Sequence, residues 1–497
     1  MHSNTEKHDL IDLVNINISD VILLVKNKIV ELTRLSADKV ENDTSIFDLG
    51  LTSVLLMELN FYIKNKLNVE IPPAVIQEQT TVVELSQAIY DIFHADNEAA
   101  PFVLDEKIPE SDYCIDKLAC YHQIEMRIEF FKNANVKKSP FFRAHEGIAS
   151  AVTHIEGKEY INFASYNYLD LCGHPFVSEA AKAAVDQYGT SASSSRIVSG
   201  ERPIHRTLEA EIAKVYGTDD SLVFVSGHAT NVSTIGHLFG RHDLVLCDKL
   251  SHDSINQGIL LSKAKRIAFP HNDMRALEAL LKKHRKNYKK TLIVTEGVFS
   301  MDGDISPLPE LIELKKRYKS FLMIDEAHSF GVLGKTGRGL AEYYNVDPNA
   351  VDIWMGTLSK SLASCGGYIA GNAKLIDYLR YKAPGFLYSV GMSPPLAAAS
   401  YAALKVMQAE PERVASLAKN GHYFCELAKK SGLDVGKSLG YAVVPVIIGK
   451  SVLTLKLSQL LFENHIDTQT IIYPAVAEGT ARLRFFISSA HTKQQIE

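Results

Sequence analysis

FLMIDEAHS (residues 321–329) joins a short apolar run to a carboxylate, Asp325. It contains one of five such runs, which alternate with longer amphipathic stretches after about residue 141. The other runs cover residues 221–225, 244–247, 292–295 and 352–355. This alternation predicts an α/β domain with a mainly parallel sheet. The mixed pattern after residue 396 predicts a smaller C-terminal α+β lobe.

Polar groups follow four of the predicted strands, at the edge where open α/β sheets bind ligands. Gly227 and His228 lie at a strand-to-helix turn whose N–H groups can hold a phosphate, or they serve the turn alone. Asp325 either caps the next helix or keeps a pyridine nitrogen protonated. Lys360 is either a surface lysine or a nucleophile with small neighbours that leave room for a bulky adduct. His252 is either a loop histidine or a ring that stacks on a cofactor.

The first 96 residues show helical periodicity alone, over residues 21–35, 53–66 and 81–93. This pattern predicts a small all-α domain of three or four helices. Within FDLGLTSVLLMEL (residues 47–59), Gly50 permits a tight turn and Ser53 opens a helix. The helix dipole favours a phosphate on the Ser53 hydroxyl. A plain helix cap is the alternative role for this serine.

An acidic, proline-containing segment separates the two regions and predicts an extended tether over residues 97–112. A helix over residues 117–133 leads out of it. The sequence therefore divides into an N-terminal domain (1–96), a linker (97–112) and a second domain (113–497) whose small lobe begins near residue 400.

The composition argues against several classes of protein. A net charge of −5 does not suit a general nucleic-acid binder. No apolar run approaches the ~20 residues that span a bilayer, and residues 1–9 lack the apolar core of a signal peptide. The 6 cysteines show no paired spacing, so we expect free thiols in a cytoplasmic protein and no metal ion.

Six separated segments, taken in order, closely resemble the α-oxoamine synthases. These are pyridoxal-phosphate (PLP) enzymes with the fold type I architecture of aspartate aminotransferase, and they include 8-amino-7-oxononanoate synthase, 2-amino-3-ketobutyrate CoA ligase and serine palmitoyltransferase. The segments are NFASYNYL (162–169), SRIVSG (195–200), TEGVFSMDGD (295–304), DEAHS (325–329), TLSK (357–360) and GTARLR (479–484). The resemblance extends from about residue 121 to the end of the sequence.

The resemblance implies a role for each matching residue around the cofactor. Lys360 is the Schiff-base lysine, Asp325 the partner of the pyridine nitrogen and His252 the ring-stacking histidine. His328 lies near the phenolic oxygen of PLP, with Ser300 beside it. The implied phosphate-site positions are Gly227, His228 and Thr357.

The resemblance also implies how the amino acid is held. Strand alternation places Arg482 and Arg484 on one face, and the family pattern favours Arg484 as the arginine that grips the substrate carboxylate. Asn167 is a further candidate for the same carboxylate. Some family members have an arginine where this sequence has Ile472, twelve positions before Arg484 (484 − 472). The family normally continues with another helix beyond the point where this sequence stops. Truncation of this sequence at its C-terminus is therefore one open interpretation.

The N-terminal region, residues 17–93, resembles acyl carrier proteins. In that family the serine at the position of Ser53 bears 4′-phosphopantetheine, which a phosphopantetheinyl transferase attaches. Thr52 and Val54 differ from the aspartate and leucine that usually flank it.

Together the resemblances imply a homodimeric enzyme that joins a small amino acid (glycine, alanine or serine) to an acyl thioester with loss of CO₂. A polyketide or fatty acyl chain would arrive on Ser53 from an upstream synthase and leave as an α-amino ketone. Three alternatives stay open: a sphingoid-type synthase that uses acyl-CoA, a PLP aminotransferase, and a non-catalytic carrier scaffold.

Overall fold

The computed structural model describes residues 16–51, 53–72, 75–76, 79–97, 108–133 and 139–497. The chain divides into two compact units, Met1–Tyr121 and His122–Glu497. Within the described ranges, every helix is too short or too polar to cross a membrane. All six cysteines are free thiols.

The first unit is built on three long helices, α1 (Ile18–Thr33), α2 (Ser53–Leu67) and α3 (Val82–Asn97). The side chain of Asn17 caps α1 by accepting hydrogen bonds from the backbone N–H groups of its first turn. Buried residues from all three helices, such as Val25, Ile63 and Ile89, form one apolar core. This architecture confirms the predicted helical domain.

The structure differs from the prediction at both ends of the tether. Helix α3 continues to Asn97, and Glu110–Asp112 forms one turn of 3₁₀ helix. Residues 98–107 lie outside the described ranges. The prediction of an extended tether over the whole of 97–112 is therefore wrong. It can hold only for residues 98–109. Helix α4 (Ala119–Asn133) follows.

The second unit alternates strands and helices. Its strands are β1 (Val152–Ile155), β2 (Lys158–Asn162), β3 (Asp220–Phe224), β4 (Leu244–Asp248), β5 (Lys265–Phe269), β6 (Thr291–Glu296), β7 (Phe321–Asp325), β8 (Ile353–Thr357), β9 (Gly367–Gly371), β10 (Val443–Gly449), β11 (Ile466–Asp467), β12 (Gln469–Ile471) and β13 (Ala481–Phe486). Its further helices are α5 (Pro175–Tyr188), α6 (Pro203–Tyr216), α7 (Gly227–Leu238), α8 (Asp253–Ser262), α9 (Met274–His284), α10 (Leu308–Tyr318), α11 (Leu340–Tyr344), α12 (Ala373–Lys382), α13 (Pro384–Leu387), α14 (Pro394–Ala409), α15 (Glu412–Lys430), α16 (Ser451–Glu463) and α17 (Lys493–Ile496).

A seven-stranded sheet in the order β3-β9-β8-β7-β6-β4-β5 forms the centre of this unit. Strand β9 runs antiparallel to both of its neighbours, and the remaining pairs are parallel. The five predicted strands correspond to β3, β4, β6, β7 and β8, which confirms the mainly parallel sheet. The sequence did not predict β5 and β9.

The sheet positions polar residues at its carboxyl edge. Strands β4, β6 and β8 end at Asp248, Glu296 and Thr357, and β7 ends at Asp325. Apolar side chains bury the rest of these strands on both faces. Because neighbouring parallel strands end at the same edge, these four polar residues lie side by side, and this edge carries the candidate site.

The C-terminal lobe holds a second sheet in the order β10-β13-β12, covered by α15 and α16. This agrees with the predicted α+β lobe. Strand β13 carries Arg482 and Arg484, and both are buried.

Candidate active site

A cavity of about 210 Å³ opens at the carboxyl edge of the large sheet. Seven residues predicted from the sequence line it: Gly227, His228, His252, Asp325, His328, Thr357 and Lys360. The remaining lining residues are Asn231, Ser254, Glu296, Ala327, Met355 and Ser359. Residues separated by more than 130 positions in the chain therefore share one small chamber.

Asp325 is a buried carboxylate with amide partners. Its Oδ2 accepts a hydrogen bond from Asn231 Nδ2 at 2.8 Å, and its Oδ1 accepts from the backbone N–H of Ala327 at 2.9 Å. It forms no ion pair within the described residues. Asn231 Nδ2 also donates to Ser254 Oγ. A buried carboxylate without a cation is unfavourable, so this end of the cavity suits a protonated ring nitrogen.

Lys360 faces the same cavity. Its Nζ lies 2.9 Å from His328 Nε2 and 5.5 Å from the centroid of the Tyr166 ring. Burial lowers the pKa of Lys360 to about 8, although the nearby carboxyl groups of Asp325 and Glu296 oppose the shift. Near neutral pH the unprotonated fraction of this amine is thus much larger than in a surface lysine, as a nucleophile or a base requires.

Glu296 is a functional candidate that sequence reasoning missed. It pairs in register with Asp325 across β6 and β7, and it accepts a hydrogen bond from the backbone N–H of His252 at 2.6 Å. Burial, reinforced by the charge of Asp325, raises the pKa of Glu296 to about 8. Its position at the end of a buried strand, like that of Asp325, was the signal available in the sequence.

His252 precedes α8 and forms part of the cavity wall. Its Nδ1 lies 2.8 Å from Ser254 Oγ, which fixes the ring orientation. Burial lowers the pKa of His252. The imidazole is therefore mainly neutral at pH 7, as suits a ring that stacks on a flat ligand.

The amino end of α7 provides a candidate phosphate cradle. Ser226 caps this helix by accepting from the backbone N–H of Ala229 at 3.0 Å. The first N–H groups of a helix, here those of Gly227 and His228, have no acceptor within it and favour an anion. A Cβ on Gly227 would lie 3.2 Å from Thr357 Oγ1, so glycine keeps this corner open.

Arg482 and Arg484 differ in their partners. Arg482 forms an ion pair with Asp302 at 2.7 Å. Arg484 donates to the carbonyl of Ser300 at 2.7 Å and to Gln469 Oε1, and it has no carboxylate partner within the described residues. Arg484 is thus the arginine whose charge is available to a substrate carboxylate.

Three residues predicted for this site, Arg484, Ser300 and Asn167, do not line the cavity. Ser300 contacts Arg484 through its carbonyl. Asn167 is buried, and its amide donates to the carbonyl of Ala149 and accepts from the backbone N–H groups of Leu171 and Cys172. Because its polar atoms already have partners in the backbone and in Asp170, Asn167 is a weaker candidate than Arg484, and its contact with the substrate carboxylate stays a prediction.

In the first unit, Ser53 is the first residue of α2, as predicted. Gly50, three residues earlier, has φ of +86°, a conformation that glycine adopts without strain. Thr52 lies outside the described residues. The turn therefore places position 53 at a helix amino end, where the dipole favours a phosphate.

Comparison with known proteins assigns a match to each unit. Residues 158–497 match the family described as Aminotransferase class I and II, and residues 24–89 match the family described as Phosphopantetheine attachment site. These ranges fall within the second and the first compact unit, respectively.

Individual relatives extend this likeness. The chain is 40% identical over 380 residues to 8-amino-7-oxononanoate synthase of Fervidobacterium nodosum, covering 76% of this chain and 95% of that protein. It is 40% identical over 352 residues to 8-amino-7-oxononanoate synthase 1 of Bacillus subtilis, covering 71% and 88%. A solved serine palmitoyltransferase from S. paucimobilis with a bound PLP-myriocin aldimine superposes with a TM-score of 0.73 at 28% identity, covering 76% and 95%.

Proposed function

We propose a reaction that proceeds from one premise: the chain belongs to the α-oxoamine synthases, PLP-dependent acyltransferases, and carries an N-terminal phosphopantetheine carrier domain. The proposed reaction condenses a small amino acid with an acyl thioester held on Ser53. The amino acid Cα forms a bond to the acyl carbon, the C–S bond breaks to release the carrier thiol, and the carboxylate leaves as CO₂. After a proton returns to Cα, the product is an α-amino ketone.

One observation carries this proposal. The same chain holds a cavity lined by a lysine and a buried carboxylate, and a carrier helix that begins at a serine. A carrier fused to a condensing enzyme has a direct use if it delivers the acyl group.

The side chains that line the cavity have the chemical groups needed to bind PLP. Asp325 would hold the ring nitrogen, His252 would stack on the ring, and the start of α7 with Thr357 would hold the phosphate. Lys360 would form the covalent link. When bound, PLP supplies an acceptor for the electron pair that remains at Cα when a proton or CO₂ leaves.

The proton transfers fall to residues of the chain. Lys360, with its lowered pKa, would take the proton from the amino acid Cα and later return one. Arg484 would hold the amino acid carboxylate until it leaves. His328 would keep Lys360 in place through the 2.9 Å contact between Nε2 and Nζ.

Substrate identity is proposed from the relatives. The name of the relative serine palmitoyltransferase pairs a small amino acid with an acyl group. It supports glycine, alanine or serine as the amino acid substrate of this chain, and alanine is our first choice. An upstream acyl-loading enzyme or polyketide or fatty-acid synthase would supply the chain in the cytoplasm, after a phosphopantetheinyl transferase has modified Ser53.

The tether makes delivery in cis effective. Residues 98–109, twelve in number (109 − 98 + 1), reach roughly 37 Å if extended at ~3.1 Å per residue. Such a linker gives an effective concentration on the order of millimolar. We propose residues 1–96 and 113–497 as the two domains that this segment joins.

A homodimer is also proposed. Val390 forms a β-bridge with Ser195, and the N–H of Gly391 donates to the carbonyl of Ser194, so the segments around these residues are neighbours. The apolar side chains exposed there are Ile197 (56%), Val198 (76%), Tyr388 (84%) and Val390 (50%). A contiguous exposed apolar cluster is typical of a protein interface.

The test uses full-length acyl-loaded protein and carboxyl-labelled amino acids, added one at a time. Wild type should release labelled CO₂ from one small amino acid. Ser53→Ala should abolish turnover of the carrier-bound chain and leave PLP binding intact, and Ser36→Ala, at an exposed serine without a capping hydrogen bond, should behave as wild type. If Ser53→Ala matches wild type on acyl-CoA at low concentration, the carrier is not the donor and an acyl-CoA synthase replaces this proposal.

A further inference from the structure

A buried tyrosine continues the contact between His328 and Lys360. Tyr168 is 0% exposed, and its hydroxyl lies 2.8 Å from His328 Nδ1. The opposite ring nitrogen, Nε2, lies 2.9 Å from Lys360 Nζ. The three side chains therefore form a continuous hydrogen-bonded chain from the protein interior to the cavity.

Both inner members of this chain are neutral near pH 7. Burial, with the positive charges of Lys360 and Arg484, lowers the pKa of His328 well below its ordinary value. Burial raises the pKa of Tyr168 well above 10. A neutral phenol and a neutral imidazole each have one proton to donate. Either Tyr168 donates to Nδ1 of His328, or Nδ1–H of His328 donates to the oxygen of Tyr168.

The surroundings of Tyr168 decide between these directions. In the described part of the chain, His328 Nδ1 is the hydrogen-bond partner of the phenol, and the neighbouring ring of Phe486 offers no acceptor. If Nδ1 carried the imidazole proton, the phenol proton would be buried without an acceptor, which is costly. The phenol must therefore donate to Nδ1, and the imidazole proton must lie on Nε2.

We propose that Tyr168 is a positioning residue that holds His328 as the Nε2–H tautomer, so that the imidazole donates to the unprotonated amine of Lys360. The effect of this tautomer on the chemistry of Lys360 rests on the proposed function, in which Lys360 is the nucleophile and base. The assignment of the His328 tautomer itself does not depend on that function. An ammonium at Lys360 finds no acceptor on this imidazole, so the arrangement favours the neutral amine. Without the Tyr168 hydroxyl, His328 becomes free to adopt the other tautomer and accept from an ammonium.

The tautomer is measured by ¹⁵N NMR of full-length protein labelled at histidine, with and without PLP, and the His328→Gln variant assigns the signals. Wild type should show Nε2 protonated and Nδ1 unprotonated. Tyr168→Phe should show a mixture of tautomers, and the pH at which PLP attaches at half its maximal rate should rise by about one unit. The matched control is Tyr216→Phe, which removes the hydroxyl of another buried tyrosine that contacts Glu326 and Tyr368 instead, and it should leave both readouts unchanged.

The proposal is overturned if wild-type His328 carries its proton on Nδ1, if it is an imidazolium at pH 7, or if Tyr168→Phe keeps the wild-type tautomer. The wild-type spectrum tests the idea even where the variant does not fold. The correct tautomer in a protein that releases no CO₂ would refute the proposed function alone. A wrong tautomer in an active enzyme would refute this inference alone.

Discussion

The lowered pKa of Lys360 sets how fast PLP attaches at each pH. Relative to the ordinary value of 10.5, a pKa of about 8 raises the unprotonated fraction of the amine at pH 7 about 300-fold, from roughly 0.03% to roughly 9%. Because the unprotonated amine attacks the aldehyde, the attachment rate should rise tenfold per pH unit and level off near pH 8.

The assay mixes PLP-free full-length protein with PLP and follows the visible absorption in stopped flow. Each rate is divided by the rate of a blocked lysine in the same buffer after the latter has been corrected for its own unprotonated fraction, which removes the titration of PLP itself and leaves that of Lys360. A break near pH 10.5 would contradict the burial argument, since it would mean that the amine is as well solvated as a surface lysine.

Two variants test the sign of the electrostatic contributions. The positive charge of Arg484 lowers the pKa of Lys360 and the negative charge of Asp325 raises it. Arg484→Gln should therefore move the break above pH 8, and Asp325→Asn should move it below. Glu326→Gln, at a buried acid that does not contribute to this pKa, is the control. A shift in the same direction in both variants would refute the reasoning.

Three further predictions test the site, the fold and the assembly. Asp325→Asn should keep PLP bound but slow exchange of the amino acid α-proton on the order of 100-fold, and near-normal exchange seen by NMR would contradict its role. The hydrogen bonds of His271 to Asp248 and Asp304 raise its pKa to about 9 against the opposing effect of burial. The stability it adds, up to about 3 kcal/mol, is thus fully present below pH 6.5 and is lost as the pH rises through 9. Urea unfolding should show His271→Gln far less stable than wild type at pH 6 and nearly as stable as wild type at pH 10. An equal difference in the free energy of unfolding at both pH values would refute this role of His271. Tyr388→Glu should convert the proposed dimer to monomer in sedimentation, and an unchanged dimer would remove this face from the interface.

The sequence predicted the strands that are buried on both faces, because such strands are continuous apolar runs. Strand β5 escaped prediction because it is the sheet edge and begins with exposed Lys265 and Arg266. Strand β9 escaped because glycines at both of its ends read as turns. Both strands were missed because their residue patterns, exposed charges in β5 and terminal glycines in β9, do not resemble those of a buried strand.

The same limit applies within the site. Asp325 and Lys360 were predictable because each follows a strand at the ligand edge. Tyr168 contacts His328 across 160 positions of sequence, and Asn231 reaches Asp325 from inside a helix. No local pattern records such contacts, because packing of separate elements creates them.

The choice between Arg482 and Arg484 illustrates what three-dimensional contacts add to periodicity. Alternation along β13 correctly placed both on one face, since both contact the loop that contains Ser300 and Asp302. Alternation gives the two arginines equal standing. The structure separates them by charge, because Asp302 neutralises Arg482 whereas Arg484 is held by a carbonyl and by the neutral amide of Gln469. A buried guanidinium without a counter-ion is costly to keep, and a substrate carboxylate would supply the missing charge.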